Sequence, residues 1–446
     1  QKQNQRGLRE RTQLVHRRPR KLQVFVEIPQ GSTIMSGASN EPASFENTIS
    51  IIQNVAKEFP EFKKWTLEKR KSLLENFMAA VVLKKKEIIA LLQQETKSTE
   101  SEASLELVEA LNYLHFLKTR ISDEYAPPRV PIGPCLIYGS WNSPLMRFCE
   151  SVITAITLGN TVLLHTSSDS VAVYSFFHTL LKEYALPENV LWILGDLSDG
   201  TIELLYSHAA MRAVHFSGLS YEGEFLKNKP MDARKRYKVN FGGHNPVVFV
   251  YDADLSDLEE WVLRALRFHY RGEMRFNRWF VQEKIYPEFS ERVKTIFENL
   301  KSEDVGGSPN AFFTKKLKEQ SQSLLREKNW WPSSGDVSIS YDFNNCSPWQ
   351  QQETLGPVLT LTRFKNSVEA VKFVNTTFFA NSASVFGGNI EKAKELGNQL
   401  QMPLITYNRI PERFWEKPLH SFYESGFGND VIEMDFFSIP RVPIVH

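Results

Sequence analysis

The sequence predicts two consecutive α/β domains, each a parallel sheet with helices on both faces. From Cys135 onward, short apolar runs alternate with helix-patterned segments, and a second such series starts at Pro246. Parallel strands need crossover helices, so this alternation marks a sheet covered on both sides. The size agrees: 446 residues, 42% hydrophobic and 24% charged, suit two or three ordinary globular domains.

Residues 1–43 come first and differ from the rest. Within the first 21, Lys2, Arg6, Arg9, Arg11, Arg17, Arg18, Arg20 and Lys21 face only Glu10, with no accompanying apolar face. The expectation is a solvated, disordered basic segment; a targeting segment or polyanion-binding arm is the alternative. Residues 44–120 read as helices. Leu74, Phe77, Met78, Val81 and Val82, followed by Ile88, Ile89 and Leu92, recur at helical steps and build one apolar stripe. "SDEYAPPRVPIGP" (122–134) carries four prolines and reads as a linker.

The first series is "CLIYGS" (135–140), a helix from Pro144 to Leu158, "NTVLLHT" (160–166), a helix from Ser168 to about Tyr184, "NVLWILG" (189–195), "RAVHFSG" (212–218) and "RYKVNFGG" (236–243). The second is "PVVFVY" (246–251), a helix within 255–269, "RWFVQEK" (278–284), a helix from Tyr286 to Lys301, "VLTLTRF" (358–364), a helix near 368–376, "SASVFGG" (382–388), a helix over 390–400 and "LITYN" (404–408). The expected division is 44–238 for the first domain, 239–402 for the second, and 403–446 returning to the first and ending in a bridging strand.

Composition excludes several classes. With 53 basic and 52 acidic side chains, net charge is +1, so nothing global draws the protein to nucleic acid or membrane. No apolar run approaches the roughly 20 residues that span a bilayer. Cys135, Cys149 and Cys346 are the only cysteines and form no C-x-x-C pair, which indicates neither a disulfide framework nor zinc. A reducing, cytoplasmic interior is expected, with organelle targeting the alternative.

"FSGLSYEG" places Gly218 and Gly223 between a strand and a helix, where glycines permit a tight turn and a helix N-terminus can face a phosphate. No Lys-Ser/Thr follows, so this is no P-loop. Together with "GSWNSP" (139–144), "LGNTVLL" (158–164), "FGGHNPVVFVYDADL" (241–255), "RWFVQEKIYPEF" (278–289), "ETLGPVL" (353–359), "ASVFGGNIEKA" (383–393) and "SGFG" (425–428), it resembles the aldehyde dehydrogenase superfamily from about Asn47 to Val445. The resemblance implies two Rossmann-like domains, a bridging element used for dimerisation, and NAD(P). It also implies a cysteine thiolate that attacks the aldehyde, an Asn and a backbone N–H that hold the oxyanion, and a Glu that activates water.

This chain departs from that pattern where the chemistry lies. The nucleophile position falls on Glu273 or Arg275, and the base position on Asn240. Where a lysine and an acid commonly hold the adenosine ribose stand His165 and Ser168, and Leu219 replaces a phosphate-contacting serine. Ser143, Arg147 and Glu150 occupy substrate-tunnel positions that are usually apolar, where two opposed charges need solvent or each other. Trp141, Asn142, Gly218, Gly223, Gly242, Gly243, Glu353, Gly356 and Pro357 match the family, Asn142 as the oxyanion donor and Glu353 as the nicotinamide-ribose carboxylate.

Three readings follow. A pseudoenzyme serving as a binding or assembly module, with no cofactor, explains the missing Cys and Glu together, since residues acting as one unit fail together. A divergent NAD(P)-dependent oxidoreductase would instead use the same cleft, with Arg147, Glu150, His165, Glu273 and Arg275 forming a polar site for an anionic ligand. A polyanion-associated protein would act through the basic arm on nucleic acid or an anionic surface. A homodimer and an unidentified protein partner complete the expectations. No metal is expected.

Overall fold

The computed structural model describes residues 45–96, 98–122, 128–166, 170–195, 197–220, 223–266, 276–300, 338–341, 350, 353, 358–410, 422–423, 425–428 and 431–441. The basic segment 1–43, Ser168, Glu273, Arg275, Cys346, Gly356 and Pro357 lie outside the described residues.

Four helices open the described chain: α1 (Phe45–Phe62), α2 (Leu67–Leu83), α3 (Lys85–Thr96) and α4 (Glu100–Ile121). Thr66 caps α2 by accepting the Lys69 N–H, and Thr99 with Glu102 forms a reciprocal capping box on α4. Leu74, Phe77, Val81, Ile88 and Leu92 of the expected stripe are buried, but Val82 is 54% exposed and Leu83 81%. The linker reading of 122–134 is corrected in part, because Arg129–Pro131 forms strand β1.

The first sheet contains β2 (Cys135–Gly139), β3 (Val162–Thr166), β4 (Leu191–Leu194), β5 (Ala213–Ser217), β6 (Arg236–Asn240) and β15 (Gly426–Gly428), in the order β15-β6-β5-β2-β3-β4. All pairs are parallel except β15 with β6. The second sheet contains β7 (Pro246–Phe249), β8 (Arg278–Gln282), β9 (Ser338–Ser340), β10 (Val358–Phe364), β12 (Ser382–Phe386) and β13 (Leu404–Tyr407), ordered β13-β12-β7-β8-β10-β9 and wholly parallel. Because β13 belongs to this sheet, the second unit runs past residue 402. Two antiparallel ribbons complete the set: β1 with β16 (Ser438–Pro440), and β11 (Phe379–Ala380) with β14 (Phe422–Tyr423).

Strand residues alternate between two cores. On one face of the first sheet, Leu136, Tyr138, Leu163, Val214, Phe216 and Val239 pack with Ile51, Ile52 and Val55 of α1 and with Leu205 and Tyr206 of α8 (Asp199–Ser207). On the other, Cys135, Ile137, Val162, Leu164 and Ala213 pack with α2, α4 and α7 (Val171–Glu183), and with Met434, Phe436 and Phe437 near the C-terminal end. Burial on both faces explains why these strands read as continuous apolar runs.

The expected helix from Pro144 to Leu158 is three pieces: α5 (Pro144–Arg147), a π-helical turn over Phe148–Ile153 and α6 (Thr154–Thr157). The remaining helices are α9 (Glu224–Lys227), α10 (Leu258–Leu266), α11 (Tyr286–Asn299), α12 (Ser367–Val374), α13 (Ile390–Gly397) and α14 (Glu433–Phe437). Two carboxylates of the N-terminal helices hold later ones in place. Glu95 accepts the Ala172 and Val173 N–H groups at 2.7 Å each, and Glu106 accepts those of Leu145 and Met146 at 2.8 and 3.2 Å. Each acid sits at a positive helix N-terminus and satisfies donors with no intrahelical partner.

Candidate functional site

The C-terminal ends of four strands of the first sheet fall in one row: Thr166 beside Gly139, Gly139 beside Ser217, and Ser217 beside Asn240. Chain order reverses between β2 and β5, and open α/β sheets bind ligands in the crevice at such a switch point. Three segments leave the row: Ser140–Ser143 after β2, Gly218–Ser220 after β5, and Phe241–Asn245 after β6.

Trp141 and Asn142 are buried on the first of these. Ser143 follows with φ +57°, a left-handed conformation unusual for a residue with a side chain, which turns the chain sharply into α5. Gly218 donates its N–H to the Asn240 carbonyl at 3.1 Å, tying the second segment to the third. Glu353 closes the group. Its Oε2 accepts the Ser220 N–H at 3.1 Å, and its Oε1 lies 1.3 Å from where a Cβ on Gly242 would stand. Gly242 is therefore glycine because the Glu353 carboxylate occupies its side-chain space.

Asn240 is the buried last residue of β6, paired with Gly426. Its amide accepts no proton at neutral pH. Cys135 and Cys149 are fully buried, and burial pushes both thiols well up, away from the thiolate a nucleophile needs. Cys135 Sγ is 3.3 Å from the Gly133 carbonyl, inside the sheet.

Among the described residues of the expected polar set, His165 lies apart from Arg147 and Glu150. His165 lies in the aromatic core of one sheet face, edge-on to Tyr138 and Tyr206, with Nδ1 3.4 Å from the Tyr206 hydroxyl. Burial lowers its pKa to about 4, so the ring is neutral and is a packing residue rather than a ribose anchor. Arg147 and Glu150 pair with each other at 3.2 Å, both nearly enclosed, which answers the burial of two opposed charges. Arg147 acts electrostatically on His215, which packs on Phe436 and Phe437 on the opposite sheet face from His165. Glu273 and Arg275 are outside the described residues.

Gly223 is also corrected. The helix it precedes, α9, has only four residues, and a Cβ there would lie 2.2 Å from the Phe241 ring and 2.8 Å from Phe216. It is glycine for packing rather than for a phosphate. Leu219 is buried and apolar.

A nicotinamide dinucleotide meets this set unevenly. Past the ends of β2, β5 and β6, the Glu353 carboxylate offers an acceptor and Asn142 a side-chain amide, while the Ser220 N–H and the space beside Gly242 are already taken by Glu353. At the end of β3, His165 is sealed and the Thr166 hydroxyl already donates to the Gly139 carbonyl at 3.0 Å. The Ser220 N–H was not foreseen from sequence; its only signal was its place in the Gly218–Gly223 turn. No metal-ligating cluster occurs among the described residues, and no described helix is long and apolar enough to cross a membrane.

Comparison with known proteins accords with this fold. A betaine aldehyde dehydrogenase from Staphylococcus aureus solved in complex with NAD+ superposes with a TM-score of 0.81 at 17% identity, covering 90% of this chain and 87% of that one. An NAD-dependent aldehyde dehydrogenase from Sinorhizobium meliloti superposes at 0.78 with 20% identity, covering 89% and 86%. Neither the fold nor these neighbours support the expectation that no cofactor is involved. An aldehyde dehydrogenase of Alternaria alternata is 25% identical over 326 residues, which are 68% of this chain but 65% of that protein's length. Aldehyde dehydrogenase 1A1 of Bos taurus is 26% identical over 335 residues, 71% of this chain and 67% of the relative. The sequence matches the aldehyde dehydrogenase family over residues 22–322 and 337–440, a match that begins before the Asn47 expected from its motifs. The chain belongs to the aldehyde dehydrogenase family.

Proposed function

We propose that the protein is a divergent NAD(P)-dependent oxidoreductase acting on an aldehyde or acyl carbonyl at the switch-point crevice, without a thiol from Cys135 or Cys149. The observation that carries this reading is the Glu353 carboxylate lodged against Gly242 and the Ser220 N–H, with Asn142 on the neighbouring strand end. Glu353 is placed to accept hydrogen bonds from ribose hydroxyls, and Gly242, having no side chain, leaves the carboxylate the space it occupies. The Asn142 amide is the group to donate to a carbonyl oxygen. The bound nicotinamide would supply hydride acceptance or donation. With an amide at Asn240, this chain has no carboxylate there to activate water, so turnover is expected to be slow compared with a thiol-using relative.

A second reading is favoured by the same Asn240 and by the enclosed Cys135 and Cys149: a catalytically silent module that binds nucleotide and a protein partner. Calorimetric titration with NAD+ and NADP+, followed by nicotinamide reduction with short, long and aromatic aldehydes, separates the two. Binding with turnover supports the oxidoreductase. Binding without turnover supports the silent module, and no binding contradicts both.

A further inference from the structure

Arg278, on β8, is wholly buried, yet its partners among the described residues are all neutral. Nε donates to Gln350 Oε1 at 2.8 Å, one terminal nitrogen to the His244 carbonyl at 3.2 Å, and the other to the Phe373 carbonyl at 3.3 Å. Burial lowers its pKa to about 9, a measure of how unfavourable the enclosed charge is. An apolar side chain of similar volume avoids that penalty, so stability alone does not favour arginine here. What the guanidinium supplies is a rigid planar fork that fixes three separate segments at once. Two of them are the roots of the candidate site. His244 is two residues past Gly242, and Gln350 is three residues before Glu353. Gln350 is itself held, its Nε2 donating to Thr362 Oγ1 of β10 at 3.2 Å.

We infer that Arg278 is a positioning residue, which sets Glu353 against Gly242 by clamping Gln350 and the His244 carbonyl to the edge of β8. This rests on the reading of that pocket as a nicotinamide dinucleotide site. The clamp acts through Gln350 and His244, the residues it holds.

The test uses the full chain with Arg278→Met, Gln350→Leu and Gln350→Glu. NAD+ affinity is read by calorimetry, and hydrogen exchange in the segments containing 242–246 and 350–353. Arg278→Met and Gln350→Leu are expected to weaken NAD+ binding roughly tenfold or more, about 1.4 kcal/mol, and to raise exchange in both segments. Gln350→Glu keeps an acceptor for the guanidinium and should retain wild-type affinity and exchange. Unchanged exchange in both segments of Arg278→Met or Gln350→Leu overturns the clamp, and raised exchange with unchanged affinity in those variants overturns its role at the site. Should Arg278→Met fail to fold, the contrast between Gln350→Leu and Gln350→Glu decides. Wild-type protein that binds no NAD+ would defeat the proposed function, and exchange alone would then judge the clamp.

Discussion

The Glu353 carboxylate occupies the side-chain space of Gly242, with one oxygen 1.3 Å from the absent Cβ and the other accepting the Ser220 N–H at 3.1 Å. The two residues share one volume, so neither can change alone. Gly242→Ala must expel the carboxylate, and is expected to weaken NAD+ binding by tenfold or more, about 1.4 kcal/mol. Titration calorimetry on Gly242→Ala beside Glu353→Gln checks it. Equal loss in both is expected, and wild-type affinity in Gly242→Ala would show that the carboxylate does not hold the ligand.

The enclosed thiols give a chemical prediction. In the native protein, a soluble thiol reagent should leave Cys135 and Cys149 unmodified, while denatured protein reacts at both. Peptide mass spectrometry reads the two positions separately. Native labelling of Cys149 would put its sulfur within reach of solvent and reopen a nucleophilic role.

Acid should weaken the fold through His165. Folded, the ring resists protonation until about pH 4, whereas an unfolded histidine charges near its ordinary 6.5. The stabilising effect of the neutral ring is therefore complete above the unfolded value and is lost as pH falls toward the folded one, about 3 kcal/mol across that window. His178, whose pKa burial lowers to about 3, adds loss in the same direction. His165→Phe should shrink the drop in the urea midpoint between neutral pH and about pH 5. An unchanged drop would mean that the ring is solvated.

A buried ion pair ties the C-terminal end to the first sheet. Lys238 Nζ on β6 meets Glu433 Oε1 of α14 at 2.6 Å and donates to the Val431 carbonyl at 2.7 Å. Burial alone would raise the Glu433 pKa, but the Lys238 charge and His215 pull it far below the carboxylate range. Lys238→Met leaves that largely enclosed carboxylate with only the His215 ring beside it and should destabilise by about 3 kcal/mol. Denaturant unfolding measures it. The Lys238→Met/Glu433→Leu double variant should recover most of the loss.

Most strands of both sheets were legible because they are buried on two faces and carry apolar runs, as in "VLL" of β3 and "VVF" of β7. The short edge pieces were not. Gly426–Gly428 and Arg129–Pro131 carry glycine and proline, which weaken any strand pattern, and only long-range pairing with β6 and β16 makes them strands. In the candidate site, Asn142, Gly242 and Glu353 were named from motifs. The enclosure of His165 was invisible, because Tyr138 and Tyr206, which surround it, lie on β2 and α8 and meet only in the folded chain. Arg278 and Gln350 were missed for the same reason: they are 72 residues apart.

Whether the protein oxidises aldehydes without either enclosed thiol is decided by nicotinamide reduction with an aldehyde panel, measured side by side on wild type and on the Cys135→Ser/Cys149→Ala double variant. Slow reduction at the same rate in both proteins is expected, weakened about tenfold or more by Gly242→Ala at subsaturating NAD+. No reduction by wild type, or reduction lost in the double variant, would contradict it.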